Sequence, residues 1–204
     1  MPLGKGALVA ERFEIDQIAG KGGMGVVYRS YDRLKQQPVA LKLLHREAAA
    51  AHEIERFARE AELLAELKHA HIVAYVSHGV TAEGQHYMAM EWLAGEDLAH
   101  RLAVSGLSLQ DSMSCIRAAA DGLSAAHSRG IVHRDIKPGN LFLREGQVGL
   151  TTLLDFGIAK PRILDAGLES SDQPDSRPLE QGIGTPLYIS PEQARGEPEV
   201  GTSA

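Results

Sequence analysis

Gly20, Gly22 and Gly25, in Gly20-Lys21-Gly22-Gly23-Met24-Gly25, run directly into Val26-Val27-Tyr28-Arg29-Ser30-Tyr31. Glycines at this spacing let backbone N–H groups approach phosphate oxygens that a Cβ would keep away. The residues just after Gly25 limit the fold. A dinucleotide-binding βαβ unit needs its third glycine to open a helix. Here β-branched and aromatic residues, which favour strands, take over instead. A phosphate loop ending in Gly-Lys-Ser/Thr is also absent. The pattern that remains is strand, glycine-rich turn, strand.

The alternation continues in Pro38-Val39-Ala40-Leu41-Lys42-Leu43-Leu44, so 11–42 reads as strand, glycine turn, strand, loop, strand. Ile54, Phe57, Ala61, Leu64 and Leu67 then recur at helical spacing, predicting a helix over 53–67. Short strands are expected near 72–77 and 87–92, with a turn at Ala82-Glu83-Gly84-Gln85. After Gly95 the chain becomes mainly helical. Ser108-Leu109-Gln110-Asp111 has the form of a capping box and opens a helix to about Ser128, with Gly130 as its stop. Gly122 inside that helix costs some propensity. Residues 1–10 read as a loose leader, and the polar, proline-bearing stretch 161–182 reads as a mobile surface loop.

Bulk composition narrows the functional class. A net charge of −6 argues against a nucleic-acid binder, which usually carries a basic domain. The single cysteine, Cys115, excludes an internal disulfide framework and suits a reducing compartment. No run approaches the about 20 apolar residues of a membrane span, and the N-terminus lacks the order of a signal peptide. The expected location is the cytoplasm. The histidines outside 133–140 lack a metal-recruiting spacing, and His69-Ala70-His71 fits a structural turn better than a zinc site.

The strongest chemical signal is His133-Arg134-Asp135-Ile136-Lys137-Pro138-Gly139-Asn140. Asp135 is suited to accept a hydroxyl proton and orient a nucleophile. Lys137 can neutralise charge on a transferred phosphoryl group. Asn140 and Asp155 (in Asp155-Phe156-Gly157) offer the hard oxygen ligands that Mg²⁺ prefers. Lys42, ending Val39-Ala40-Leu41-Lys42, has a candidate partner in Glu60 on the following helix. A strand lysine held by a helix glutamate places a fixed positive charge against phosphates. His133 reads as a packed loop residue rather than a proton shuttle.

Together with Val27 and Ser190-Pro191-Glu192, these motifs resemble a eukaryotic-type serine/threonine protein kinase over about 13–196. Lys137 is similar to the serine/threonine class, and 184–196 and 22–28 are similar to bacterial members. The resemblance implies an α+β, bilobal fold: a β-rich small lobe with hinge at 11–93 and a mainly helical large lobe from 94 to 196. An activation loop would span about 155–192, and 197–204 would be a disordered tail. It implies ATP and Mg²⁺ as cofactors and protein serines or threonines as substrates, in bacterial signalling. Ile18, Gly20, Lys21, Gly22, Gly23, Met24 and Gly25 would cover the nucleotide. Val27 and Ala40 would pack on the adenine from above and Phe142 from below. Glu91 to Leu93 would form the hinge, with Met90 as gatekeeper. Ser176, and after it Ser170 and Ser171, are candidate activation-loop phosphosites, and Thr185 would face the substrate hydroxyl.

The same resemblance implies further large-lobe helices after Ser190-Pro191-Glu192, whereas the sequence stops at Ala204. An incomplete large lobe is therefore expected. A fragment, a shortened product and one part of something assembled in trans all fit. The rival functional reading is a kinase-like module that binds nucleotide or a partner without turnover.

Overall fold

Strand alternation decides which way the first sheet faces. The computed structural model describes residues 2–22, 25–45, 51–156, 188, 190 and 191, without the side chains of 51–53, 56 and 60. Strands β1 (Leu8–Val9), β2 (Phe13–Gly22), β3 (Gly25–Asp32), β4 (Gln37–Leu44), β5 (Tyr75–Val80) and β6 (His86–Glu91) form an antiparallel sheet in the order β1-β2-β3-β4-β6-β5. Val26, Tyr28, Val39, Leu41, Leu43, Tyr87 and Ala89 bury together with Phe13 and Ile15 on one face. Their neighbours one step along the pleat, Val27, Lys42, Ala40 and Met90, belong to the other face. The registers Val27↔Lys42 and Ala40↔Met90 put these four side by side.

The segment read as a loose leader is tied to the outer face. Val9 is buried, Leu3 and Ala7 pack on the same cluster, and Leu8–Val9 pairs with Phe13 and Glu14. The Gly6 N–H donates to Ile15 O at 2.8 Å, and Leu3 N–H to the Tyr28 hydroxyl at 3.0 Å. Its longest apolar run, Ala7-Leu8-Val9-Ala10, is too short to show a helical or strand period; the uncovered sheet face does the recruiting.

Helix α1 (Ala51–Glu66) forms as its spacing predicts, and Phe57, Ala61, Leu64 and Leu67 enter a second cluster with Ile72, Met88, Met90, Leu153 and Phe156. The strand expected at 72–77 starts later, at Tyr75, because Ile72 and Val73 are taken by another partner. Ile72 bridges Leu153, Val73 N–H donates to Leu153 O, and Leu153 N–H donates to His71 O. β7 (Gly95–Asp97) and helix α2 (Leu98–Val104) come next, with the Asp97 carboxylate capping the His100 N–H at 2.9 Å. α3 (Leu109–His127) starts at the Ser108 N-cap, where the hydroxyl accepts the Asp111 N–H and donates to the Asp111 carboxylate. It ends where the chain doubles back at Gly130, with Ile131 N–H returning to Ala126 O. β8 (Leu141–Arg144) and β9 (Thr151–Leu153) complete a three-stranded sheet, β7-β8-β9.

Gly122 explains its own place in α3. A Cβ there would lie 2.9 Å from both His71 O and Leu153 Cδ1, and His71 O is already committed to β9. Alanine should gain about 1 kcal/mol of helix propensity but force backbone and β9 apart. We expect Gly122→Ala to lower stability by about 1–3 kcal/mol net, as overpacking does. Urea denaturation checks this, and a variant at least as stable as the parent would refute the close contact.

Candidate active site

The nucleotide-facing candidates collect on one hairpin and the strand beside it. Gly20, Lys21, Gly22 and Gly25 lie at the β2–β3 turn, with Gly22 paired to Gly25 and Gly20 to Val27. A Cβ on Gly25 would overlap the Leu43 carbonyl, so this position needs glycine for close strand approach. Ile18 is exposed nearby on β2, while Gly23 and Met24 lie outside the described residues. Val27 and Ala40 are half-buried on the same pleat face as Lys42. Met90 is buried against the inner cluster. Beyond it, Glu91 spends its N–H on Ala74 O at 2.8 Å. The Leu93 N–H donates to no acceptor among the described residues. Phe142, half-buried on β8, pairs with Asp97 and Thr152.

Lys42 reaches across to Asp155, with Nζ 3.0 Å from Oδ1. Lys42 holds the Asp155 carboxyl below its usual range, chiefly through its charge, against the desolvation that would raise it. The expected Lys42–Glu60 pair involves a side chain outside the described residues; only the backbone of Glu60, on α1, is placed.

Asp135, Lys137 and Asn140 form one cluster. Asn140 Nδ2 donates to Asp135 O and to Asp135 Oδ2, both at 2.8 Å, while Lys137 Nζ lies 3.3 Å from the same Oδ2. With its amide nitrogen committed to Asp135, Asn140 turns Oδ1 the other way, and Leu154 N–H closes the loop onto Asn140 O at 2.9 Å. Arg134 (φ 61°) and Asp155 (φ 42°) both sit in the left-handed region. Such strain costs on the order of 1–3 kcal/mol and survives only where the surroundings hold it.

His133 is what holds it. Its ring is 1% exposed and stacks 4.5 Å from the Phe156 ring. Nδ1 accepts the Asp135 N–H at 3.3 Å, so Nε2 carries the proton and donates to Leu154 O at 2.9 Å. One imidazole thus spans the backbone of both strained segments. Burial pushes its pKa down from 6.5 to about 4. Between those values the unfolded chain takes up a proton that the folded chain refuses. Stability should therefore be full above pH 6.5 and fall as pH drops towards about 4. The expected loss is about 3 kcal/mol. Denaturation midpoints across that window test this, and His133→Phe should flatten the slope; an unchanged slope would refute a neutral buried imidazole.

Ser170, Ser171, Ser176 and Thr185 lie outside the described residues. Sequence reading missed the side-chain role of Glu91 and its partner Arg144, whose Nη2 lies 3.3 Å from Glu91 Oε2. The two are 53 residues apart, and no spacing signal links them.

An antiparallel sheet with a glycine hairpin, above a loop that gathers aspartate, lysine and asparagine, has the architecture of the protein kinase class. The chain belongs to the protein kinase domain family, which matches residues 13–204. It is 34% identical over 196 residues to the serine/threonine-protein kinase pkn3 of Myxococcus xanthus, covering 94% of this chain and 35% of that protein. It is 38% identical over 188 residues to pkn2 of the same organism, covering 91% of this chain and 22% of the relative. The chain thus spans about a third or less of the length of these curated relatives. The Mycobacterium tuberculosis PknI kinase domain superposes with a TM-score of 0.68 at 31% identity, covering 83% of this chain and 69% of that one. The family implies ATP and a divalent metal. Among the described residues, no helix is long and apolar enough to cross a membrane.

Proposed function

We propose that this chain carries out serine/threonine protein kinase chemistry, transferring the ATP γ-phosphoryl group to protein hydroxyls. The observation that carries this reading is the Asp135–Lys137–Asn140 cluster, set beside the Lys42–Asp155 pair. The donor set fits a hard divalent cation: an ionised carboxylate on Asp155 and an amide oxygen on Asn140 aimed away from Asp135. Among the described residues no three His, Cys, Asp or Glu side chains form a metal cluster. Two protein oxygens suit Mg²⁺, which usually keeps water and phosphate for the rest of its shell.

When bound, ATP with Mg²⁺ supplies the transferable phosphoryl group and offsets its charge. Asp135 accepts the proton of the substrate hydroxyl and orients its oxygen. Lys137 is close enough to balance negative charge beside that carboxylate. Lys42, fixed on β4, provides positive charge towards the phosphates, and Glu60 on α1 would be its further partner. Backbone groups of Glu91 and Leu93 would pair the adenine edge, with Met90 behind it, Ile18, Val27 and Ala40 above and Phe142 below. By resemblance, Gly20 to Gly25, with Lys21 and Met24, would close over the phosphates. By resemblance, Thr185 would face the substrate, and Ser176, Ser170 or Ser171 would take an activating phosphate. The single cysteine and the use of ATP suit a cytoplasmic site of action.

Incubation with γ-labelled ATP and a basic protein substrate tests the reading. Label on serine and threonine only when Mg²⁺ is present supports it. Label on neither residue, with no ATP-dependent rise in thermal stability, overturns it.

A further inference from the structure

Two hinge residues are each held by an arginine, and the two arginines come from opposite sides of the slot. Arg144 ends β8, the strand that carries Phe142, and reaches Glu91 Oε2. The other Glu91 oxygen accepts the Ala74 N–H at 2.8 Å, and Ala74 O accepts the Glu91 N–H at 2.8 Å. One carboxylate therefore joins the hinge to the segment before β5 and to the strand below the slot. From above, Arg29 on β3 places its guanidinium 5.6 Å from the centre of the Trp92 ring, within cation–π range. Asp16 holds Arg29 in turn, its Oδ2 3.2 Å from Nη1, and Lys5 sits 3.1 Å from the other Asp16 oxygen. Arg29 is also the cross-strand partner of Ala40, which faces the slot.

We propose that Arg29 and Arg144 are positioning residues that clamp the hinge between the two lobes, presetting the distance from the hinge backbone to Phe142 before nucleotide arrives. The inference rests on the nucleotide-binding reading above. Neither arginine touches the proposed phosphate or metal groups; each acts through a hinge side chain. A slot already held at its working width binds without having to order the hinge at that moment. Loss of either arginine leaves the Ala74–Glu91 bonds and the Glu145 N–H to Ala94 O bond at 2.7 Å in place. The chain should stay folded while nucleotide affinity falls about 3- to 10-fold.

Trp92 is the single tryptophan of the chain, so its emission reports the hinge directly. The experiment titrates ATP with Mg²⁺ into the parent chain and into Arg29→Ala, Arg144→Ala and Arg144→Lys, following Trp92 emission and, independently, ATP-dependent thermal stabilisation. Expected are that loss of affinity in both alanine variants, stronger acrylamide quenching of Trp92 without ligand, and recovery of most of the affinity in Arg144→Lys. The clamp is overturned if the alanine variants bind ATP as the parent does, or if affinity falls only in step with the unfolding midpoint. A parent chain that binds no ATP by either readout removes the nucleotide reading and the clamp with it. Tight parent binding with indifferent variants removes the clamp alone.

Discussion

Asp135→Asn should lower phosphoryl transfer by about 10²-fold or more while leaving ATP affinity within about twofold of the parent. Asparagine is nearly isosteric: the Asn140 Nδ2 bond to the backbone Asp135 O is untouched, and the new side-chain amide oxygen can accept the bond that now goes to Asp135 Oδ2. What it cannot do is take a proton from a hydroxyl or carry the charge that pairs with Lys137 at 3.3 Å. A loss confined to kcat marks an interaction made in the transition state rather than in nucleotide binding. Initial rates at saturating ATP, beside direct ATP titration, separate the two. Unchanged kcat would remove Asp135 from the mechanism, and a matching loss of ATP affinity would assign it a structural part instead.

Arg12→Ala should destabilise the fold by about 3–5 kcal/mol, the range for breaking a buried ion pair from one side. Asp32 is fully buried, and Arg12 meets it with two parallel bonds, Nε to Oδ1 at 2.9 Å and Nη2 to Oδ2 at 2.7 Å. Asp32 Oδ1 also accepts the Leu34 and Lys35 N–H groups that shape the β3–β4 turn. The Arg12 hydrogen bonds hold the Asp32 carboxyl below its usual range, against a desolvation that would raise it. Without Arg12 the buried carboxylate keeps only the Leu34 and Lys35 N–H bonds against that desolvation. In the parent, Asp32 adds stability above its unfolded pKa of 3.8 and loses it as pH falls through the lower folded value. Because the parent loses the Asp32 contribution only as pH falls below 3.8, the deficit should be largest at neutral pH and shrink in strong acid. Denaturant titrations at pH 7 and at about pH 2.5, below the unfolded pKa, check both points. A deficit below about 1 kcal/mol at neutral pH would place this pair among ordinary surface bridges.

Much of the site could be read from the chain because its parts are local. Asp135, Lys137 and Asn140 lie within one short loop, and the structure brings all three together through a single carboxylate oxygen and the Asp135 backbone. The two faces of the first sheet come from alternation alone, which separates Val27 and Ala40 from Val26 and Leu41. The misread segments share one cause. Ile72 and Val73 look like strand residues, but Leu153, distant in sequence, takes their backbone bonds. The first ten residues look loose, yet a sheet face built by later strands needs Val9, Ala7 and Leu3 to cover it.

Spacing, pleat period and residue type are properties of the chain itself, and they are enough to give the family, the order of the elements and the candidate side chains for the chemistry. How distant groups meet is a matter of tertiary structure: Lys42 with Asp155 across 113 residues, His133 on Leu154, and Arg144 on the hinge carboxylate. The glycine hairpin excluded helix-opened phosphate loops from the start. Burial of Met90, Leu64 and Phe156 in one cluster is what ties the sheet to helix α1 and to the segment after β9. Such contacts arise from packing after the chain has collapsed, and no periodicity along the chain records them.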